Sequence, residues 1–241
     1  RIIYYNLNLN YKYIYIYMYN YNSNIILLLI FLLLFLIFYI IDFYIINNIN
    51  DYYKKNIIRI PNFITNKECK QLIKIASPHM HKSLVIGPNT NIEDVGRTST
   101  NTFLNKNNKL VNKIYNKLEK ILKIPKANFE PPQIARYKPK QFYAPHYDII
   151  NDWYSDYFKR DIKRGGYRIK TAIIYLTDNF EQGSTSFPLL NKKFKLSVGE
   201  VLIFNNLYDK NKYYLSLHQG EPVKKGVKWI LTVWIRQKTF K

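Results

Sequence analysis

The strongest pattern along the chain is an uninterrupted apolar run near the N-terminus. Ile25–Ile41 reads IILLLIFLLLFLIFYII, seventeen residues in which only Tyr39 carries a polar group. A helix of this length, rising about 1.5 Å per residue, nearly spans a bilayer core, and Phe43–Ile46 can extend it. No small-residue cleavage site follows, which disfavours a cleaved signal peptide. We therefore predict a transmembrane signal anchor over residues 25–46.

The segments on either side of this run carry weaker patterns. Residues 1–24 are rich in Tyr and Asn and of low complexity, so we treat them as a tail with no assigned fold. Residues 47–59 are treated as a linker to a domain that covers residues 60–241. Because the sequence begins at Arg1 rather than Met, we expect further residues before it.

Amphipathic spacing predicts two helices at the start of this domain. Thr65 and Glu68 have the spacing of a capping box. The apolar residues that follow it at helical spacing are Cys69, Leu72, Ile73 and Ala76. The second helix is predicted from the spacing of Leu110, Val111, Ile114, Leu118, Ile121 and Leu122.

After Pro132 the pattern changes to short runs typical of β-strands, separated by turn residues. The predicted strands are Gln133–Tyr137, Lys170–Leu176, Thr185–Leu189, Glu200–Phe204, Tyr214–His218 and Trp229–Arg236. Helices followed by many short strands favour an α+β domain. We expect its strands to form a double-stranded β-helix, or jelly roll, supported by the N-terminal helices and preceded by the transmembrane helix.

Composition adds two constraints. The net charge is +21, but Lys, Asn, Ile and Tyr are abundant throughout the chain, which indicates a compositional bias rather than a nucleic-acid-binding surface. Cys69 is the only cysteine, which excludes an internal disulfide and a zinc site built on several cysteines.

The four histidines are the candidate metal ligands. His79 and His81 lie in a polar SPHMHK segment, and we interpret them as an exposed loop pair. His146 and Asp148 form a His-x-Asp motif, and His218 closes a predicted strand. Two histidines and one carboxylate can form the facial triad that covers one face of iron(II) and leaves three positions open. The alternative reading of the His-x-Asp motif is a hydrogen-bonded surface pair.

Lys228 is the candidate anion-binding residue. It lies ten residues after His218 and opens the run KWILTVWI, which has the composition of a buried strand. A lysine at that position calls for an anionic partner. The far carboxylate of a dicarboxylate chelating the metal would satisfy it; the alternative is a solvated lysine.

Four segments resemble the prolyl 4-hydroxylase family of Fe(II)- and 2-oxoglutarate-dependent dioxygenases. They are GRTSTNTFL (96–104), IARYKPKQFYAPHYD, RIKTAIIYLTDNFEQGSTSFP and SLHQGEPVKKGVKWILTVWIR. The similarity runs in one order over roughly residues 60–237. It implies that His146, Asp148 and His218 bind Fe(II), and that Lys228 pairs with the far carboxylate of 2-oxoglutarate.

The same resemblance implies roles for further residues. Tyr137 matches a tyrosine that hydrogen-bonds 2-oxoglutarate, Thr171 faces the same pocket, and Trp234 matches an active-site tryptophan. Tyr143 and Arg168 match positions near the substrate peptide.

Two loops of the chain differ from the family pattern, and one segment is a candidate lid. Lys138-Pro139-Lys140 stands where the family often has glycines, and Gln182–Thr185 departs from Gly-Gly-Glu-Thr. Neither departure falls on a ligand position. Asn151–Tyr167 is long, aromatic and basic, and we expect it to form part of a substrate lid.

The activity implied by the resemblance is hydroxylation of peptidyl proline with O₂ and 2-oxoglutarate, which releases succinate and CO₂. It also implies L-ascorbate as the agent that restores oxidised iron, and a proline-containing protein or peptide as partner. Two alternatives stay open. One is a related dioxygenase acting on a lysyl or nucleic-acid substrate, and the other is an inactive membrane-bound binding module.

The location expected from these features is a single-pass membrane protein of the endoplasmic reticulum or Golgi with a lumenal catalytic domain. The charges leave the orientation open. Lys54, Lys55 and Arg59 follow the apolar run, whereas Arg1 and Lys12 precede it. The positive-inside rule, applied to these residues, favours a catalytic domain on the cytosolic side of the membrane.

Overall fold

The computed structural model describes residues 2–86, 91–149, 156–206 and 213–241. These residues belong to two units, Arg1–Asp51 and Tyr52–Lys241. The first unit is helical, and the second contains the strands and the remaining helices.

The long N-terminal helix α1 extends over Ile2–Asn56. Its segment Asn24–Asn47 is long and apolar enough to cross a membrane, by length and composition. The helix also includes residues 2–24, to which the sequence analysis assigned no fold. Residues 47–59 are helix and strand rather than a linker, because β1 (Ile57–Ile60) follows α1 directly and pairs with a later strand of the domain.

Three further helices are α2 (Asn66–Ala76), α3 (Lys109–Leu122) and α4 (Asp156–Lys163). The predicted capping box of α2 is present: the Thr65 hydroxyl accepts from the backbone N–H of Glu68, and the Glu68 carboxylate accepts from the backbone N–H of Thr65. Asn108 is the N-cap of α3, because its side-chain oxygen accepts from the backbone N–H groups of Leu110 and Val111.

The remaining strands are short, and every pairing between them is antiparallel. Their bounds are β2 His81–Lys82, β3 Val85–Ile86, β4 Asn91–Ile92, β5 Thr100–Phe103, β6 Gln133–Tyr137, β7 Tyr143–His146, β8 Arg168–Tyr175, β9 Glu181–Gln182, β10 Thr185–Phe187, β11 Lys192–Phe194, β12 Val201–Asn205, β13 His218–Gly220, β14 Val223–Lys225 and β15 Lys228–Arg236.

Within the described residues these strands form two principal sheets. The larger has the order β1-β12-β8-β15-β6-β5-β2, and the smaller has the order β11-β10-β13-β7. Side chains of the two sheets meet: the rings of Phe187 on β10 and Phe204 on β12 pack edge to face at 5.1 Å. The predicted α+β jelly roll with supporting helices is therefore confirmed.

Two local predictions have a different outcome. Tyr214–His218 is not a strand: Tyr213–Ser216 forms a 3₁₀ turn, and β13 begins only at His218. The Ser216 carbonyl, at the end of this turn, accepts from the His218 ring. Within the predicted lid Asn151–Tyr167, residues 151–155 lie outside the described part, and Asp156–Lys163 is the helix α4.

The main hydrophobic core lies between α2, α3 and one face of the larger sheet. Leu72 of α2 and Leu118 of α3 are fully buried in it, together with Ile134, Ile174 and Leu231 of the sheet. This packing fixes the central strands from one side, so their opposite face can carry polar groups in defined positions.

Candidate metal and co-substrate site

Successive side chains of β15 point to opposite faces of the sheet. One set lies in the hydrophobic core, and the other lines a cavity of about 480 Å³. The core-facing set is Trp229, Leu231, Val233 and Ile235. The cavity-facing set is Lys228, Ile230, Thr232 and Trp234. Since the strand is buried on both faces, most of its residues are apolar, and its two charged residues are at its ends, Lys228 at the start and Arg236 at the last position.

Strand pairing brings the two candidate histidines together. His146 at the end of β7 lies directly opposite His218 at the start of β13 in the antiparallel register. Their ring centroids are 4.3 Å apart. Asp148 follows His146 by two residues and lies just beyond the end of β7, so its carboxylate joins the pair.

The distances between these side chains fit a single divalent cation. The His146 Nε2 lies 3.9 Å from Asp148 Oδ1, and the His218 Nε2 lies 3.6 Å from Asp148 Oδ2. First-row ions bind such nitrogens and oxygens at about 2.0–2.2 Å, so two ligands of one ion are at most about 4.4 Å apart. Both distances are below that limit and too long for hydrogen bonds.

Backbone contacts orient both imidazoles for metal binding. The Nδ1 of His146 lies 2.8 Å from the carbonyl of Ala144, and that of His218 lies 2.9 Å from the carbonyl of Ser216. A carbonyl can only accept, so each Nδ1 carries the proton and each Nε2 presents its lone pair. Burial and then the neighbouring His218 lower the pKa of His146 to about 3, which keeps its ring neutral at pH 7.

Asp148 is oriented by a short hydrogen-bond chain. The Thr171 hydroxyl donates to Asp148 Oδ2 at 2.6 Å, and the Asn206 amide donates to Thr171 at 2.9 Å. Burial alone would raise the pKa of Asp148, but His218, His146 and the Thr171 hydrogen bond contribute to lowering it. The described lining of the cavity does not include Thr171, so its contact is with Asp148 rather than with the co-substrate space.

Lys228 lies in the same cavity, opposite Tyr137 in the β15–β6 register. It is 1% exposed, and its ammonium lies 4.7 Å from the ring centroid of Tyr175 and 5.5 Å from that of Tyr137. Burial lowers its pKa to about 7, although Glu221 opposes this shift. Among the described residues Lys228 forms no ion pair, so it is a buried cation available to an anionic ligand.

Tyr137 and Trp234 complete the walls near Lys228. Both are buried and line the cavity, and burial raises the pKa of the Tyr137 hydroxyl, which remains a protonated donor. The indole Nε1 of Trp234 is buried without a hydrogen-bond partner among the described residues. An orphaned donor in this wall fits a polar ligand in the cavity.

Tyr143 forms an aromatic wall beside the triad. Its ring stacks on His146 at 3.5 Å between centroids, and the Arg97 guanidinium lies 4.6 Å from the centroid of the Tyr143 ring. Burial raises the pKa of Tyr143 to about 12. Arg97, which lies inside the quoted GRTSTNTFL segment, was not assigned a role from the sequence and also lines the cavity.

Arg168 belongs to a buried network of four charges. It makes two hydrogen bonds to Glu130, at 2.6 and 2.8 Å, and its guanidinium lies 4.1 Å from the Trp234 ring centroid. Arg236, which is fully buried, donates to Glu130 and makes paired contacts with Asp161. Arg168 therefore lines the cavity, and its guanidinium is held chiefly by Glu130.

The other histidine pair stands apart from the triad. His79 and His81 are exposed as predicted, although His81 lies in the short edge strand β2 rather than in a loop. Within the described residues, the one group of three candidate ligands close enough to share a metal ion is His146, Asp148 and His218.

Comparison with known proteins identifies the family of the chain. A family model described as the 2OG-Fe(II) oxygenase superfamily matches residues 132–236. A protein of Acanthamoeba polyphaga mimivirus, named as a candidate prolyl 4-hydroxylase, is 37% identical over 196 residues, which cover 80% of this chain and 78% of that protein. Prolyl 4-hydroxylase 5 of Arabidopsis thaliana is 36% identical over 203 residues, which cover 75% of this chain and 68% of that protein.

A solved structure agrees with both sequence relatives. The crystal structure of the viral collagen prolyl hydroxylase of Paramecium bursaria Chlorella virus-1, in complex with 2-oxoglutarate, is 31% identical to this chain. It matches with a TM-score of 0.58 over 75% of this chain and 96% of that chain. The chain belongs to the prolyl 4-hydroxylase family of Fe(II)- and 2-oxoglutarate-dependent oxygenases.

Proposed function

We propose that this dioxygenase hydroxylates proline residues of a peptide or protein, with Fe(II) held by His146, Asp148 and His218. The observation that carries the proposal is the position of Lys228. A buried ammonium, with no ion-pair partner among the described residues, shares one cavity with a triad of two histidines and one carboxylate. That arrangement suits a dicarboxylate that chelates the metal at one end and meets a cation at the other.

The protein side chains position the reactants. Lys228 binds the far carboxylate of 2-oxoglutarate, Tyr137 donates a hydrogen bond to the same co-substrate, and Trp234 closes the wall. Fe(II), when bound, supplies the activation of O₂. One oxygen atom enters succinate, the other forms the prolyl hydroxyl, and CO₂ leaves from the 2-oxo acid. Thr171 holds the Asp148 carboxylate in its ligating orientation from behind.

The target proline enters from the side of Tyr143. This ring lines the cavity beside the triad and is half-buried, stacked on His146 and contacted by Arg97, so its exposed edge can contact a pyrrolidine ring. A polyproline II segment suits such a wall, because it is already extended and loses little entropy on binding. Arg168 lies on the same side of the cavity. Its guanidinium donates to Glu130, and one face of the guanidinium lies over the ring of Trp234.

A nucleic-acid demethylase is the less favoured alternative. Such enzymes use an arginine of the last strand to hold 2-oxoglutarate. Arg236 occupies the last strand here, but its guanidinium is 0% exposed and engaged by Glu130 and Asp161. Lys228 is therefore the better placed cation. A lysyl substrate stays a second candidate, because the triad chemistry does not distinguish it.

The test is succinate release with three matched substrates: a proline-rich peptide, a lysine-containing peptide and a methylated oligonucleotide. The proposal predicts 2-oxoglutarate turnover stimulated by the proline-rich peptide, with a hydroxyl group found on proline. Stimulation by either of the other substrates alone would overturn the prolyl assignment. Absence of succinate with all three, in protein loaded with Fe(II), would favour the inactive binding module.

Ascorbate dependence and membrane attachment belong to the same proposal. L-ascorbate would return iron to Fe(II) after turnovers that oxidise it without product. The exposed apolar side chains of Ile25–Ile41 support a single-pass anchor, with the domain in the lumen of the endoplasmic reticulum or Golgi. Loss of activity over repeated turnovers without ascorbate would support the first point. Protease protection of the domain in sealed microsomes would support the second.

A further inference from the structure

The charges that line the cavity are unbalanced towards the positive. The carboxylates in the described lining belong to Glu130 and Asp148. Glu130 accepts hydrogen bonds from two arginines, Arg168 and Arg236. Asp148 is committed to the metal triad. Neither carboxylate is therefore free to neutralise a further cation at this site.

Two arginines of the lining are not held closely by a carboxylate: Arg97 contacts none among the described residues, and Arg164 shares Asp161 with Arg236. Arg97 is 9% exposed, donates to the Gln133 side chain and the Leu84 carbonyl, and its Nε has no partner among the described residues. Arg164 lies 4.0 Å from Asp161, but both oxygens of Asp161 are already held by Arg236. Arg164, whose side chain is half-exposed, thus presents donors that an incoming anion can use, and Arg97 adds a second positive charge to the cavity wall.

Arg164 is also held in a defined position. Its guanidinium lies 4.7 Å from the ring centroid of Phe240, another residue of the cavity lining. Its carbonyl accepts from the backbone N–H of Lys241, and the turn after it is fixed by Gly166. Gly166 has φ +75°, and a Cβ there would lie 2.8 Å from Gln237 Oε1, so a glycine is required for this turn.

We propose that Arg164, assisted by Arg97, selects peptides in which an acidic side chain flanks the target proline. The inference rests on the proposed prolyl hydroxylation, and it adds the substrate class. A carboxylate on the peptide would meet a preorganised cation on an aromatic platform at the edge of the cavity, and a second, buried cation further in. A neutral side chain of the same shape would gain neither contact.

The test is hydroxylation kinetics with paired peptides that differ only in Glu or Gln beside the target proline. For the unaltered protein, kcat/KM should be higher for the Glu peptide by about three- to five-fold, the range expected for a half-exposed ion pair. The difference should shrink in high salt, because screening weakens the contact. Arg164→Gln should abolish the preference, and Arg164→Glu should turn it towards a Lys-flanked peptide.

A matched control is available on the same helix region. Arg160 carries the same charge four residues earlier, but it is exposed and outside the cavity lining. Arg160→Gln should keep the Glu preference, whereas Arg164→Gln loses it. Equal kcat/KM for the two peptides in the unaltered protein, or an equal loss in both variants, would overturn the inference while proline hydroxylation stands. Failure to hydroxylate either peptide would instead count against the proposed function itself.

Discussion

Lys228 offers the sharpest quantitative test of the co-substrate site. The perturbation is Lys228→Met, which removes the ammonium while keeping most of the side-chain volume in a well-packed wall. The residue is 1% exposed and lies between the rings of Tyr137 and Tyr175. The next two cavity-facing residues of β15, Ile230 and Thr232, are uncharged. They therefore cannot take over the role of the Lys228 ammonium in the variant.

The expected magnitude follows from that burial. Removing one partner of a buried, hydrogen-bonded charge pair costs roughly 2–5 kcal/mol. This corresponds to an increase of roughly 30-fold to several thousand-fold in the Kd for 2-oxoglutarate. Lys228→Arg should not restore binding, because a planar guanidinium needs more room than an ammonium between two aromatic rings.

The same lysine predicts a pH dependence with a defined sign. Burial lowers its pKa from 10.5 to about 7, so the empty site carries a charged ammonium below pH 7 and a mainly neutral amine above it. A dicarboxylate binds the charged form. The KM for 2-oxoglutarate should therefore be lowest below pH 7 and should rise, by up to about tenfold per pH unit, as the pH increases above 7.

The assay is initial-rate succinate release between pH 6 and pH 9, with peptide saturating and 2-oxoglutarate varied. Lys228→Met provides the control, because its KM for 2-oxoglutarate should be high and nearly independent of pH across this range. The KM for the peptide should change little in the variant. The role of the Lys228 ammonium would be refuted if the KM for 2-oxoglutarate did not change with pH in the unaltered protein. It would also be refuted if this KM changed with pH in the same way in Lys228→Met.

Three further predictions concern the parts that support the site. Thr171→Val should weaken iron binding by roughly ten- to a hundredfold, because the hydroxyl no longer orients Asp148; metal titration monitored by mass spectrometry measures this. Arg236→Met should destabilise the fold by roughly 3–5 kcal/mol, since it leaves Asp161 buried without its partner; urea unfolding measures this. Deleting residues 1–46 should release the protein from carbonate-washed membranes, and pelleting of the shortened chain would contradict the anchor.

Much of the site could be predicted because its residues are unusual in their surroundings. A lysine that opens a strand of apolar residues must find a partner, and Lys228 does lie in the cavity. A His-x-Asp pair and a distant histidine are brought together by one strand pairing, β7 with β13. The family resemblance added the identity of the ligands, Fe(II) and 2-oxoglutarate, and pointed to Tyr137 and Trp234, which line the same cavity.

The remaining features depend on contacts between residues far apart in the chain. Arg236 and Glu130 are 106 residues apart, and no local pattern pairs them. Thr171 was expected to face the co-substrate, but its χ1 orientation, which the sequence does not specify, directs the hydroxyl to Asp148. Residues 57–59 fall in the predicted linker 47–59 because so few residues give too short a pattern, and only the pairing of Ile57–Ile60 with β12 makes them a strand.

At the triad of His146, Asp148 and His218, one O₂ molecule should be divided between 2-oxoglutarate and a prolyl carbon. Turnover under ¹⁸O₂ with Fe(II), 2-oxoglutarate and a proline-rich peptide, followed by mass spectrometry of both products, measures this division. We expect one labelled oxygen in hydroxyproline and one in succinate, in equal amounts, and neither product with Asp148→Ala. Unlabelled hydroxyproline, or undiminished turnover by Asp148→Ala, would contradict it.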